Sequence, residues 1–351
     1  MNCKYKNNNE NIFCNRESYE DEYCIFHKHN KNNNENKEFL KRIREERISD
    51  FSGFVFEEDF NANEVIDYEV QDLNFIETIF KKEAIFNGYE FRGRVYFKYI
   101  KFYDYVSFGN AIFNNNVIFY KIIFNNVYIN EKIFAKSKFR GQNLIINEVI
   151  NLPRMDGIIF NSCSKFILDN IDYKKENYLI GKINYKIARN QANNIGDYER
   201  IGHYYYKERI YRSKSMNVYD YHSYRDYLSE KFFDRLSKYT IGYGERPWNI
   251  FIITLLIISM FALMYMFLDI RNIYNEEISL NLNNLENYSL YEIIKIYIDL
   301  WYFSMVTFST VGYGDIIVTS LLGKILVSVE VFLGVTIGAA WASVIIKKMI
   351  R

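Results

Sequence analysis

Two stretches late in the chain stay apolar for longer than the core helix of a soluble protein needs. Trp248 to Leu268 carries no charge at all, and as a helix it reaches roughly 31 Å, about one hydrocarbon thickness. Ile325 to Ile346 is just as long and holds one charge, Glu330. Both patterns predict membrane spans. Between them Leu300-Trp301-Tyr302-Phe303-Ser304-Met305-Val306-Thr307-Phe308-Ser309 is apolar and aromatic but too short to cross. It predicts a short helix that enters and leaves by the same face, followed by non-helical backbone. At membrane depth such backbone is tolerated only where it is buried in protein or lines a watery path.

A different period occupies the first half of the chain. Large apolar residues fall at Phe75, Phe80, Phe86, Phe91, Phe97, Phe102, Phe108, Phe113, Phe119, Phe124, Ile129, Phe134, Phe139 and Leu144, alternating steps of five and six before settling at five. Five residues turn an α-helix by about 140°, so no helical face collects them. Small or β-branched residues often stand two positions earlier, as at Ala84, Val95, Val106, Ala111 and Val117. The pattern resembles pentapeptide-repeat proteins, which implies a right-handed parallel β-solenoid with these residues pointing inward. The mixed step departs from a strict repeat and allows a looser coil of about 22 residues. A stack of such coils is a binding or spacing device, and it offers no nucleophile, metal cluster or phosphate loop. No enzymatic activity is expected.

The backbone after the short apolar segment is Thr310-Val311-Gly312-Tyr313-Gly314-Asp315. Gly312 and Gly314 permit the unusual dihedrals that turn successive carbonyls one way. Set between two spans, this run resembles the selectivity filter of the two-transmembrane potassium channels of bacteria and archaea, a filter that is itself a standard worked case of ion selectivity. The resemblance covers Pro247 to Arg351. It implies that carbonyls of Thr310 to Tyr313, with the Thr310 hydroxyl, replace the water around K⁺, and that four copies of the chain complete each cage. A second Gly-Tyr-Gly, at 242–244, has no apolar helix ahead of it and reads as a turn into the first span.

The resemblance also assigns supporting roles. In many relatives a carboxylate four residues before the filter threonine pairs with the filter aspartate; here that residue is Val306, so Asp315 needs another partner. Thr307 is placed to hold the Tyr313 hydroxyl. Gly334, with Gly338 one turn on, stands where the inner-helix hinge falls, unless both are close-packing glycines. Glu330 is either a functional carboxylate or one that snorkels to the outer surface.

Charge then sets orientation. Lys231, Arg235, Lys238 and Arg246 precede the first span, and Lys347, Lys348 and Arg351 follow the second. The intervening stretch carries Asp269, Glu276, Glu277, Glu286, Glu292 and Asp299 against Arg271 and Lys295. Both termini are therefore expected in the cytoplasm, in a multi-pass protein of the cell (plasma or inner) membrane. The acidic stretch would concentrate cations at the outer mouth. Overall, 44 Lys plus Arg balance 43 Asp plus Glu, which argues against nucleic acid as a partner. Met1 to Asn15 is polar and does not read as a signal peptide. No helix carries a regular arginine ladder, and little chain follows the second span, so regulation is expected from the segment ahead of the pore.

Cys3, Cys14, Cys24 and His27 supply a four-ligand set suited to tetrahedral Zn²⁺, with His29 as a substitute for His27. So short and polar a segment needs such a staple to fold. The Tyr-Cys-x-x-His ending resembles small zinc modules of pentapeptide-repeat proteins. Residues 30–37 read as linker and 37–48 as a short charged helix. Further on, Gly196-Asp197 breaks two helices, the second with Tyr198, Ile201 and Tyr205 on one face, and this stretch resembles the helical linker of pentapeptide-repeat proteins that end in an ion-channel domain.

The expected fold is multidomain: a zinc module (1–30), a linker with a short helix (31–50), the β-solenoid (51–170), an α-helical linker (171–246) and an all-α two-transmembrane pore domain with a re-entrant loop (247–351; spans 248–268 and 325–346, pore helix and filter 300–315). The expected function is a homotetrameric, potassium-selective channel in the lipid bilayer, its gating biased by the solenoid and an unknown cytoplasmic partner. The alternatives are a membrane-anchored scaffold with a silent pore and a non-selective cation channel.

Overall fold

A computed structural model describes residues 2–350 apart from 8, 10, 11, 20, 21, 125–127 and 281–287. Glu286 and Arg351, used above for charge balance, lie outside the described residues. The chain divides into two compact units, 1–220 and 221–351, so the helical stretch 171–246 is shared between them.

The first unit is a β-solenoid. Short parallel strands stack into four ladders, the longest of five strands. Leu73 pairs with Val95 and Val95 with Val117. One coil therefore runs from Leu73 to Arg94 before the ladder repeats, the looser of the two coils that the step pattern allowed. Interior phenylalanines sit on the corresponding ones of the coil below. Phe75, Phe97 and Phe119 stack at 5.0 and 4.8 Å, and Phe86, Phe108 and Phe134 at 4.8 and 4.9 Å. Strand spacing in a sheet is about 4.8 Å, so a ring column and a strand ladder share one rise. Ala84, Val95, Val106, Ala111 and Val117 are buried beside the columns.

The register slips at two places. Val117 pairs with Leu144, further along than one regular coil would reach, and Phe108 stacks on Phe134. Most of the extra residues lie between Phe124 and Phe134, which places Ile129 in an inserted turn, still buried, instead of in a column; one more lies between Phe139, which pairs with Phe113, and Leu144, which pairs with Val117. The corners of the coil carry a second register. Glu77, Tyr99, Lys121, Glu148 and Asn170 follow successive strands of the longest ladder, all with φ between 49° and 55°. Left-handed backbone at a non-glycine residue costs about 1–2 kcal/mol each, which the stacked ladders on either side must offset.

Both open ends of the solenoid are covered. At the first coil, α1 (Asn33–Glu45) buries Phe39 and Ile43. It starts earlier than expected, because Asn32 and Glu35 form a capping box. The short α2 (Ala62–Val65) lies within the coil. At the last coil, α3 (Tyr178–Asn194) and α4 (Tyr198–Ser215) pack as a hairpin. Gly196 at φ 70° ends one helix, and Asp197 caps the next, as the sequence indicated. The buried face of α4 is not the expected one: Tyr198 is exposed, while Ile201, Tyr204 and Tyr211 are buried. The reason is polar. The last coil leaves main-chain groups without a following strand, and these helices satisfy them. The Tyr204 hydroxyl accepts from Leu168 N–H at 3.1 Å, and Gln191 donates to the Ser164 carbonyl at 2.7 Å. Asn184 donates to the Pro153 carbonyl at 2.9 Å, and the Tyr211 hydroxyl donates to the Ile171 carbonyl at 3.2 Å. An uncovered strand edge invites pairing with other chains.

The second unit contains α5 (Tyr224–Thr240), α6 (Pro247–Tyr265), α7 (Leu290–Phe308) and α8 (Leu321–Ile350). By length and composition α6 and α8 can cross a membrane. The 242–244 repeat forms the turn ahead of α6, with the Tyr243 ring buried. Several boundaries differ from expectation, the first apolar helix ending at Tyr265 instead of Leu268. The second apolar helix is longer, 30 residues. The helix ahead of Thr310 begins early, at Leu290 instead of Leu300, because Ser289 and Glu292 form a capping box. A short antiparallel pair, Ile270–Asn272 with Ile316–Val318, ties the chain after α6 to the chain after Asp315.

The ring columns predict a sharp energetic signature. Phe97 is 0% exposed, and Phe97→Ala should lower the unfolding free energy of the solenoid by about 3–5 kcal/mol, measured by urea titration. A loss below about 1 kcal/mol would mean that the columns are not the core.

Candidate ion pathway and metal centre

The Thr310–Asp315 segment begins where α7 runs out of residues. The N–H groups of Thr310 and Val311 still donate to carbonyls of that helix, Thr307 at 3.0 Å and Val306 at 3.1 Å. The backbone then alternates in hand. Thr310, Gly312 and Gly314 have φ of 60°, 58° and 77°, and the residues between them do not. Alternating hand along a short run makes a concave row of like main-chain groups. The glycines were legible in the sequence. Thr310 was not: positive φ at a β-branched residue is an outlier, and strain of this kind gathers at functional sites. Among the described residues, no hydrogen bond is made to the carbonyls of Thr310, Val311, Gly312 or Tyr313. Val311 and Tyr313 are 53% and 72% exposed, so the segment lies open on its unit.

The surroundings hold this segment from both ends. Thr307 is buried and supports Thr310 through its main chain. In place of the acid absent at Val306, the Tyr302 hydroxyl lies near the Asp315 carboxylate. The Asp315 carbonyl accepts from Ile273 N–H at 3.1 Å, next to the short strand pair. Neither partner was read from the sequence, although a tyrosine one turn before Val306 was the available signal. On α8, a Cβ at Gly334 would stand 1.9 Å from the Phe308 carbonyl oxygen, so this glycine allows close contact with the end of α7. Gly338 faces open space. At the other end of α8, Lys347 pairs with Glu245 at 2.8 Å.

Residues 288–351 match the sequence model of a family described as ion channel. This region is similar to ion channels. The channel-like stretch takes in α7, the Thr310–Asp315 segment and α8. Over 43 residues, 12% of the chain, the protein is 49% identical to a protein of Plasmodium berghei (strain Anka) named potassium channel K2. The match spans only 3% of that relative's length. No solved structure matches the chain.

A second site lies in the first unit, on the segment that covers the first coil. The ligand atoms of Cys3, Cys14, Cys24 and His27 all lie within 4.8 Å of one another. Cys14 and Cys24 Sγ are 3.8 Å apart, and His27 Nδ1 is 3.5 Å from Cys3 Sγ and 3.0 Å from Cys24 Sγ. A tetrahedron with metal–sulfur bonds of about 2.3 Å and a metal–nitrogen bond of about 2.1 Å has edges of about 3.8 and 3.6 Å. The set therefore fits one ion. His27 Nε2 donates to the Ser52 carbonyl at 2.9 Å, which leaves Nδ1 bare toward the thiols, the arrangement that orients a metal-binding imidazole. Tyr5 stacks on the imidazole at 4.0 Å. His29 is exposed and outside the cluster, as is Cys163.

Burial pushes the Cys24 thiol up to about 12 and lowers His27 to about 4. At neutral pH the imidazole is already bare, and binding must displace thiol protons. Metal retention should therefore weaken as pH falls. Protein purified without added metal should carry about one ion per chain, lost on Cys14→Ser and on acidification. Metal-free protein with all four cysteines reduced would contradict this.

Proposed function

We propose that the chain is one subunit of a potassium-selective channel. Four copies would surround an axis lined by Thr310, Val311, Gly312, Tyr313, Gly314 and Asp315. The observation that carries this reading is the run of unbonded, exposed carbonyls with alternating hand between α7 and α8. One chain offers only one wall of a cage, and its open face needs other walls. Rings of such carbonyls, each chain contributing one oxygen per ring, are what replaces the water around a dehydrated K⁺. The relative's name and the ion-channel family model support the same class of function. Thr307 would brace the Tyr313 ring once neighbouring copies close over it.

The two apolar helices and the charges flanking them favour a cell-membrane location with both termini in the cytoplasm. The scaffold alternative gains no support, because a silent pore has no use for a strained threonine at φ 60°. The solenoid of pentapeptide-repeat type would bias gating through the turn at Arg246-Pro247. That turn is tied to the end of α8 by Lys347 and Glu245 and to α5 by the Tyr243–Asp234 bond at 3.0 Å. Zinc is the metal best suited to three thiolates and an imidazole, and it would staple the N-terminal module as a cap on the first coil.

Recording from purified protein in lipid bilayers should give reversal potentials near the K⁺ equilibrium value under asymmetric K⁺ and Na⁺. Equal permeability to the two ions would overturn the reading. Gly312→Ala should abolish selective current. Open space surrounds Gly312, so the loss would come from the dihedral at φ 58° and not from a clash.

A further inference from the structure

One carboxyl group stands among the three helices behind the proposed filter, and conduction as described makes no use of it. Glu330 on α8 is 0% exposed, so within its unit it does not snorkel to the surface. Its Oε2 accepts from the Tyr265 hydroxyl of α6 at 2.7 Å. Its Oε1 lies against the Ser304 hydroxyl of α7. Ser304 Oγ also lies 3.0 Å from the Ile258 main-chain carbonyl of α6. Among the described residues no cation pairs with Glu330, and its polar neighbours are these two hydroxyls.

The protons can be counted. Ser304 has one, and two oxygens stand around it. The Ile258 carbonyl can only accept, so it takes the Ser304 proton. The contact between Ser304 and Glu330 then needs a proton from the carboxyl itself. A neutral Glu330 meets this need: it donates to Ser304, Ser304 donates to Ile258, and Tyr265 donates to the other carboxyl oxygen. Every member is then satisfied and the group carries no charge, the arrangement a membrane interior favours. An ionised carboxylate would compete with Ile258 for the one Ser304 proton and would stand uncompensated in apolar surroundings.

The placement gives the group a task. Glu330 and Gly334 are one turn apart on α8, and their contacts on α7, Ser304 and Phe308, are one turn apart as well. The two helices therefore meet along a short shared face that ends next to Thr310. We propose that Glu330 is a positioning residue, carried in its neutral form, which locks α7 to α6 and α8 and thereby holds the filter at the width that discriminates K⁺ from Na⁺. The proposal rests on the conduction reading, and its test separates the two.

Glu330→Gln keeps the pattern, since the amide donates to Ser304 and its carbonyl accepts from Tyr265. It should leave the K⁺ over Na⁺ permeability ratio within about twofold of wild type. Glu330→Val removes both bonds and should lower the ratio at least tenfold. A Gln variant that fails as the Val variant does would show that the charge is needed and would overturn the neutral chain. A Val variant with wild-type selectivity would overturn the positioning role. If Glu330→Val does not assemble, Ser304→Ala is the milder break and should lower the ratio severalfold; an unchanged ratio would overturn the proposal. Infrared difference spectra of Glu330→Gln against wild type should show loss of a protonated carboxyl stretch. That band is read without any current, so a protein with the band but no K⁺-selective conduction would sink the conduction reading and leave the neutral carboxyl standing. Absence of the band in wild type would sink the neutral carboxyl whatever the currents show.

Discussion

A short run of main chain without hydrogen-bond partners is the constraint on which the second unit depends. Backbone carbonyls at membrane depth must be satisfied by protein, water or ions, and those of Thr310 to Tyr313 have no partner among the described residues. The rest of the unit holds that run in a conformation it would not choose. One end hangs from the last turn of α7 through Thr307 and Val306. The other is fixed at Asp315, whose carbonyl accepts from Ile273 N–H and whose main chain leads into the Ile316–Val318 strand. Behind it, α8 approaches so closely at Gly334 that no side chain fits.

The first unit solves a different problem by repetition. A single coil buries little by itself, and each ring gains its partner only from the coil above or below. The architecture is therefore vulnerable at its ends, and the ends are where its polar chemistry is concentrated. Cysteines and an imidazole gather over the first coil; Asn184, Gln191, Tyr204 and Tyr211 bond to the main chain of the last.

What could be read from the sequence follows from what is local. The phenylalanine register is periodic, so spacing excluded a helix and resemblance suggested the solenoid, while the coil length stayed open between a strict repeat and about 22 residues. The two candidate spans were legible from length and apolarity, and the left-handed backbone at Gly312 and Gly314 from their residue type. The left-handed corners were not, because Glu77, Tyr99 and Lys121 are residues that turn statistics do not favour there. The buried face of α4 was misjudged from helical spacing, since Tyr204 is chosen by unpaired main-chain groups of a strand 36 residues away. Tyr302 and Tyr265 found their partners only in three dimensions. The early start of α7 was in plain view, as a serine followed three residues later by a glutamate, and so was the start of α1.

The proposed selective conduction depends on how copies of the chain meet at Thr310–Asp315. A structure of the full protein in lipid nanodiscs, determined in K⁺ and again with K⁺ replaced by Na⁺, tests that most directly. Four chains should surround one axis, with the carbonyls of Thr310 to Tyr313 facing it and a column of ion density between them in K⁺. Fewer than four chains at the axis, or carbonyls turned away from it with no ion density in K⁺, would contradict the channel reading.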